Sequence, residues 1–320
     1  MARACASAPG KAILVGEHFV VEGQPAIAVA VDLRARAIVE TTEKGFIEVS
    51  SRRYGRHVFT EEDDKHPLYP VFKAAERVLE FSGRETGLRI NIHSSIPPAA
   101  GLGSSAAVAV ATVAATASAL GEKLSLEDIS RLAYEAEKIV HGKPSGIDNT
   151  VSTYGGAILY KRSEGFTRLK VDFSDARLVL ADSGITRNTG AMVARVRNLY
   201  KKYPSVLAPL YEVAGRLVQA VKEALEEGDF ETVGELMNIN HGLLSAVGVS
   251  NIPLEVMVHI ARNAGALGAK ITGAGGGGLT LALCRVVNVS KVRETLMRVS
   301  KRVFTVNISV NGVRTEPSPS

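Results

Sequence analysis

Cysteine is scarce in this chain. The 320 residues include only Cys5 and Cys284, far apart and without metal-ligand spacing. That excludes a disulfide scaffold and fits free thiols in a reducing compartment. Long apolar runs are missing as well. A membrane span needs ~20 residues, whereas the most membrane-like stretch, 106–120, is shorter and carries Thr112, Thr116 and Ser118. The first ten residues hold no apolar segment of signal-peptide length. No block of like charge occurs: 38 basic minus 33 acidic residues leaves +5, which suits an anionic small molecule as well as nucleic acid. Internal repeats and low-complexity linkers are absent. These absences lead us to expect a soluble cytoplasmic protein with no membrane partner.

What is present is an ordinary globular composition, 46% hydrophobic and 22% charged, against ~45–50% and ~25% in typical domains. At ~150 residues per domain the length suggests about two domains, each able to bury a core without staples. Residues 88–93 alternate apolar and polar as a half-buried strand does. Residues 37–42 and 46–50, separated by Lys44 and Gly45, predict a hairpin. Leu126, Ile129, Leu132, Ala133, Ala136, Ile139 and Val140 share one helical face; Ser125 and Asp128 stand in capping-box spacing at its start, and Gly142 and Pro144 end it. Beyond about residue 170 the pattern turns to long amphipathic helices over 192–203, 210–225 and 230–244, interleaved with strands at 178–181, 279–284 and 303–310. The change of pattern divides the chain into 1–170 and 171–320. The sequence leaves open whether 303–310 returns to the first unit or completes the second; residues 316–320 read as a frayed tail.

Three segments carry chemistry. The first is Pro97-Pro-Ala-Ala-Gly-Leu-Gly-Ser-Ser-Ala-Ala107, between a strand and an Ala/Val-rich helix. Gly101 and Gly103 remove Cβ atoms where the backbone turns tightly or approaches a ligand. A helix starting near Ser104 offers free N–H groups and a positive dipole end, an anion site. Ser104 and Ser105 serve either as caps or as ligands for a phosphate-bound metal. Gly101-x-Gly103-x-x-Ala106 also fits a dinucleotide fingerprint, with Glu122 at a distance suited to a ribose contact. Against that reading, Pro97, Pro98 and two alanines separate strand from glycines.

The second segment is Lys270-Ile-Thr-Gly-Ala-Gly-Gly-Gly-Gly-Leu279. Such density of glycine costs backbone entropy, so packing does not explain it, and we expect the run to wrap a ligand. A strand-like segment follows where the dinucleotide motif needs a helix, and Leu279 stands where a P-loop needs lysine. The third segment, Pro9-Gly-Lys-Ala-Ile-Leu-Val-Gly-Glu-His18, brackets an apolar strand with Lys11 at one end and Glu17 and His18 at the other. Taken singly these charged groups suit solvent; together they can furnish a site.

In this order the three segments resemble the three motifs of the GHMP kinases, a family named for galactokinase, homoserine, mevalonate and phosphomevalonate kinases. The resemblance spans residues 8–278. Gly16-Glu-His-Phe-Val-Val-Glu-Gly-Gln-Pro-Ala-Ile27, Lys143-Pro-Ser-Gly-Ile-Asp-Asn149 and Thr186-Arg-Asn-Thr189 look most like the mevalonate-phosphorylating branch, and the length is similar to that of its archaeal members. The resemblance implies an α+β, two-domain fold with the active site in a cleft between an N-terminal α/β domain and a ferredoxin-like C-terminal domain. It implies ATP and Mg²⁺ as cofactors, mevalonate as substrate, no nucleic-acid partner and a homodimer. Another member activity, on phosphomevalonate or homoserine, stays open, with basic residues near 195–202 available to a second phosphate; so does a non-catalytic nucleotide-binding protein.

Site roles follow from the resemblance. Asp148 is the expected proton acceptor, with Lys11 beside it. The nucleotide is expected on Pro97, Pro98, Ala99, Ala100, Gly101, Leu102, Gly103, Ser104, Ser105, Ala106 and Ala107, and on Gly273, Ala274 and Gly275. Ser105 and Glu137 are the expected Mg²⁺ ligands, and helical periodicity independently puts Glu137 at the border of its apolar face, able to reach a cleft. Glu17, His18, Arg187 and Thr189 are expected around the alcohol substrate, where an arginine can grip a carboxylate through two N–H groups.

Overall fold

The computed structural model describes residues 2–43, 45–97, 101–141, 144–186 and 188–317. In chain order its elements are β1 (Arg3–Val15), β2 (Ala26–Thr42), β3 (Ile47–Ser51), β4 (Gly55–Phe59), α1 (Tyr69–Ser82), β5 (Gly87–Ser94), α2 (Ser104–Leu120), α3 (Leu126–His141), α4 (Ile147–Tyr154), β6 (Ala157–Lys161) and β7 (Gly165–Leu169). There follow β8 (Ala176–Asp182), α5 (Thr189–Lys202), α6 (Pro204–Glu227), α7 (Phe230–Ala246), α8 (Ile252–Asn263), β9 (Gly268–Ile271), β10 (Leu279–Arg285), α9 (Val289–Leu296), β11 (Arg302–Val306) and β12 (Arg314–Glu316).

One sheet runs β12-β1-β2-β5-β3-β4, with β6 and β7 added beside β2. The long β2 serves two neighbours on one edge: residues 26–29 pair with β6 and residues 35–42 with β5. The hairpin expected between 37–42 and 46–50 does not form. β5 lies between β2 and β3, antiparallel to one and parallel to the other, and β3 turns instead into β4. Parallel strands need a crossover, and α1 supplies it. Leu88, Ile90 and Ile92 on alternate positions of β5 are buried, so the central place covers the face a local hairpin would have left to solvent.

Helix α2 has no polar face. Its alanines and valines are buried almost all round, as in a helix enclosed on every side, and it packs on β1 and β2 and against α1, α3 and α4. Ser125 caps α3 as expected, its hydroxyl oxygen accepting the Asp128 amide at 3.0 Å.

The other sheet runs β11-β8-β10-β9 and is antiparallel throughout. Helices separate its first two strands in sequence and its last two, the ferredoxin-like pattern. Along β8, Leu178 and Leu180 face α6 and α7 at Leu217, Val218 and Met237. Val179 and Ala181 face α8 and α9 at Met257 and Val292, as the two-residue period of a strand requires.

The segment expected as one strand over 303–310 serves both sheets. β11 ends at Val306, and the chain then crosses to β2, where Asp32 N donates to Asn307 O at 3.0 Å and Ser309 N to Ala30 O at 2.8 Å. On the edge of β2 away from β1, the stretch between its β6-paired and β5-paired residues is left open, and 307–309 fill it, with Val31 bridged to Ile308. Past Gly312 the chain enters β12, paired with β1. Glu316, expected in a frayed tail, is therefore a strand residue; 318–320 lie outside the described residues. A Cβ on Gly312 would lie 2.0 Å from the Thr153 carbonyl oxygen. Gly312→Ala should lower stability by ~1–3 kcal/mol through overpacking, read as a lower urea midpoint at unchanged slope.

Candidate active site

β1 carries Lys11 into the interior between the sheet and α2. Its backbone N–H donates to the Leu102 carbonyl at 2.8 Å, so the loop before α2 is bonded to the strand that bears the lysine. Gly103 caps α2 in a left-handed conformation (φ 66°), and a Cβ there would press on Lys11 Cγ at 3.0 Å. No side chain caps α2, so Ser104 and Ser105 are not caps, and the first-turn amides and the helix dipole face the cleft.

Asp148 is the second residue of α4. Its Oδ1 lies 3.2 Å from Lys11 Nζ; the lysine side chain is 6% exposed and the aspartate 33%. The carboxylate is thus anchored at its base and open at its rim. The turn ahead of it is braced by Tyr134, whose hydroxyl donates to the Pro144 carbonyl at 3.2 Å, and by Tyr160 on the Ser145 carbonyl. Glu137 on α3 is buried, and burial, then the charge of Asp148, pushes its carboxyl up to about 8, with Lys11 acting against them. Periodicity placed Glu137 at the border of its helix, and there the side chain is buried within reach of the charges of Asp148 and Lys11.

The Gly16-Glu17-His18 turn is held from the other sheet. Glu17 is buried and pairs with Lys270 of β9, which also donates to the Ile271 carbonyl; both ionic side chains are at 1% exposure or less. Asn240 of α7 donates to Glu17 Oε2 at 3.3 Å and accepts the Gly16 N–H at 3.3 Å. His18 has φ 62°, the one non-glycine residue at positive φ among the described residues, and its Nε2 meets the Ala274 carbonyl at 2.9 Å. Burial lowers the imidazole below its ordinary value, against the raising effect of that carbonyl and of Glu17; the ring is neutral at pH 7.

The glycine-rich loop corrects the sequence reading in one respect: its glycines are required by packing. A Cβ on Gly275 would stand 2.3 Å from the Val249 carbonyl oxygen, and one on Gly277 2.6 Å from that of Ile185. Thr272 reaches across to the Ile13 carbonyl at 3.2 Å, and Gly278 N donates to Ile185 O at 3.1 Å. Ile185 therefore lies on the loop, and Met192 in the first turn of α5, whose first residue is Thr189, stands against Gly276. Pro98, Ala99, Ala100 and Arg187 lie outside the described residues. Glu122, the ribose contact of the dinucleotide alternative, sits past the far end of α2, within 3.5 Å of Arg84, ~25 Å of helix away from Gly103.

A cleft of about 980 Å³ opens at the start of α2, lined by Ser104, Ser105 and Val108 and, opposite them, by Leu68, Val71 and Ile96. Its mixture of apolar wall and converging polar groups is that of a small-molecule site.

Comparison with known proteins agrees with this geometry. The model of the GHMP kinases N terminal domain matches residues 70–156, and that of the GHMP kinases C terminal domain residues 221–298. Mevalonate kinase of Pyrococcus abyssi is 44% identical over 296 residues, covering 87% of this chain and 88% of that one. The chain belongs to the GHMP kinases. Mevalonate kinase of Aeropyrum pernix is 38% identical over 317 residues, 97% of this chain and 98% of that one. The crystal structure of L. major mevalonate kinase in complex with R-mevalonate superposes with a TM-score of 0.83 at 30% identity, over 94% of each chain.

As a GHMP kinase the chain is an enzyme that uses ATP. Its residues suit a magnesium ion: Glu137 is a buried carboxylate raised by its surroundings, a place where a cation is favoured, and Ser105 adds a neutral oxygen. No cluster of three or more metal-ligating His, Cys, Asp or Glu occurs among the described residues. No helix among them is long and apolar enough to cross a membrane, and Cys5 and Cys284 are free and buried.

Sequence reasoning missed Lys270 and Asn240, the groups that hold Glu17. A lysine inside the short apolar strand Ala269-Lys270-Ile271 was the available signal, since a lone buried ammonium demands a carboxylate. Removing one partner of a buried pair leaves the other charge uncompensated. Lys270→Met should therefore lose ~3–5 kcal/mol of stability, and Glu17→Gln/Lys270→Met should lose less; urea unfolding of both variants checks the order.

Proposed function

We propose that this kinase transfers the terminal phosphoryl group of ATP to the 5-hydroxyl of mevalonate, giving 5-phosphomevalonate for isoprenoid synthesis. The observation that carries the reading is the Lys11–Asp148 pair beside Gly103 at the start of α2, 3.2 Å apart and open on the aspartate side. The identities to the P. abyssi and A. pernix enzymes, and the L. major enzyme's complex with R-mevalonate, support the choice of alcohol.

The chemistry needs little covalent help from the protein. The amides at 101–105 and the N-terminus of α2 hold the nucleotide phosphates, with the nucleoside in the cleft. Asp148 accepts the proton of the substrate hydroxyl as the oxygen attacks the γ-phosphorus. Lys11 stabilises charge growing on that oxygen. When bound, Mg²⁺ neutralises phosphate charge; Ser105 and Glu137 are the residues that would hold it. On the other side His18, as a neutral imidazole, and Thr189 with Arg187 surround the alcohol, and Arg187 takes its carboxylate. Glu17 acts through the turn that bears His18, since its own carboxylate is spent on Lys270 and Asn240.

Of the four basic residues at 195–202, Arg195 packs beside Gly248 and the other three are paired or distant from Thr189. Arg197 pairs with Glu22 at 3.1 Å. Lys201 and Lys202 occupy the last turn of α5, ~20 Å of helix from Thr189. We further propose cytoplasmic residence and a homodimer, in keeping with the free thiols and the family.

ADP release with Mg·ATP on mevalonate, phosphomevalonate, homoserine and galactose tests the substrate; turnover on mevalonate alone is expected, and turnover only on another alcohol would overturn it. A positioned base contributes ~10²–10⁴-fold, so Asp148→Asn should lose turnover by that factor with nucleotide affinity unchanged in calorimetry. Glu137→Gln should shift the Mg²⁺ dependence of the rate to higher concentration while leaving the thermal midpoint the same or higher, because a buried carboxyl whose ionised form its surroundings disfavour is replaced by a neutral isostere.

A further inference from the structure

The cleft has a wall that none of the three motifs supplies. Five of its lining residues are arginines, Arg34, Arg36, Arg52, Arg53 and Arg314, and a single one, Glu316, is acidic. Glu316 comes from β12, which reaches this place only because the chain returns from the second sheet to pair with β1. Its carboxylate accepts the Ser7 hydroxyl, pairs with Arg36 and meets Arg314 Nε at 3.3 Å. Burial would raise this carboxyl, but Ser7, Arg314 and Arg36 together hold it below the usual range. Ser7 Oγ in turn accepts Arg34 Nε at 2.8 Å.

The arginines differ in what they have left to give. Arg34 is spent on the structure: its remaining N–H groups donate to the carbonyls of Ser7 at 2.8 Å and Gly312 at 2.7 Å. Arg36 is 47% exposed beside a carboxylate that is 8% exposed. One side of its guanidinium is thus fixed by Glu316, and its other donors face the cleft. Fixing a free arginine costs rotamer entropy, and Glu316 fixes this one before any ligand arrives.

We propose that Glu316 is a positioning residue of the nucleotide site, through which the β12 strand holds Arg36 in the cleft wall to meet oxygen atoms of the bound nucleotide. The inference rests on the nucleotide occupying this cleft, as proposed above. A contrary effect is possible in principle: an acid in a cationic cleft repels ATP, and its removal would then tighten binding. The two effects have opposite signs, so experiment separates them.

Initial rates over ATP and mevalonate are measured for Glu316→Gln, Glu316→Asp, Arg36→Gln and the Glu316→Gln/Arg36→Gln double variant. Loss of a charge-assisted contact should raise the KM for ATP about five- to tenfold in Glu316→Gln and Arg36→Gln. The KM for mevalonate and kcat should change less than about twofold, a split that general loosening of the fold would not give. Glu316→Asp should recover part of the loss, and the double variant should be no worse than the more severe single one. An ATP KM that stays the same or falls in Glu316→Gln, or additive effects in the double variant, overturns the proposal. If Glu316→Gln fails to fold, an unchanged ATP KM in Arg36→Gln overturns it equally. Photolabelling of the intact enzyme with 8-azido-ATP locates the nucleotide independently. Labelling of cleft residues that ATP prevents, with kinetics indifferent to Glu316, sinks this proposal alone. Labelling elsewhere removes the nucleotide placement and this proposal with it.

Discussion

The buried pair between Lys270 and Glu17 is the contact on which the relation between the two sheets rests. It sits where β1 ends and β9 begins its turn into the glycine-rich loop, with both charges out of water. Such a pair is a poor source of net stability, since desolvation consumes most of its attraction. It tolerates few alternative arrangements, however, because any other leaves a naked charge inside. The accessory bonds all agree with it: Asn240 to the turn, Thr272 to the Ile13 carbonyl, and Ala274 to His18. The strained backbone of His18 persists because the neighbours of that residue are fixed so completely.

A second balance operates in the cleft. Lys11 stands close to Asp148, and the neighbouring Glu137 is pushed up by burial and by Asp148. Burial and the charge of Asp148 both work against an ionised Glu137, and Lys11 alone works for it, so a cation brought to this place would find a carboxyl that gains from its arrival.

Much of this could be read in the residues. The helix of 126–141 was marked by its apolar face and its Ser125 cap, the start of α2 by Gly103 and two serines, and the chemistry by three motifs in order. The failures share one cause, which is that they depend on contacts distant in sequence. Residues 37–50 carry a good local turn signal, yet β5, some forty residues on, takes the place between the strands. The glycines of 273–278 looked too costly for packing because the carbonyls they touch, at Val249 and Ile185, come from other elements. Lys270 was quoted as part of a motif but could not be paired with Glu17 without the fold. The strand at 314–316 is short, polar and followed by two prolines, and only its partner on β1 makes it a strand.

That strand also bears on how the protein is made. Ser7 and Glu316 are 309 residues apart, and contacts of such separation slow folding because the intervening chain must be ordered before they form. On the ribosome, β1 emerges long before β12. Until β12 is made, the outer edge of β1 has open N–H and C=O groups. An exposed edge of that kind is a template for foreign strands, and nascent chains with incomplete sheets are the species most prone to associate. Completing this wall of the cleft therefore waits for a strand made 309 residues after the serine it binds.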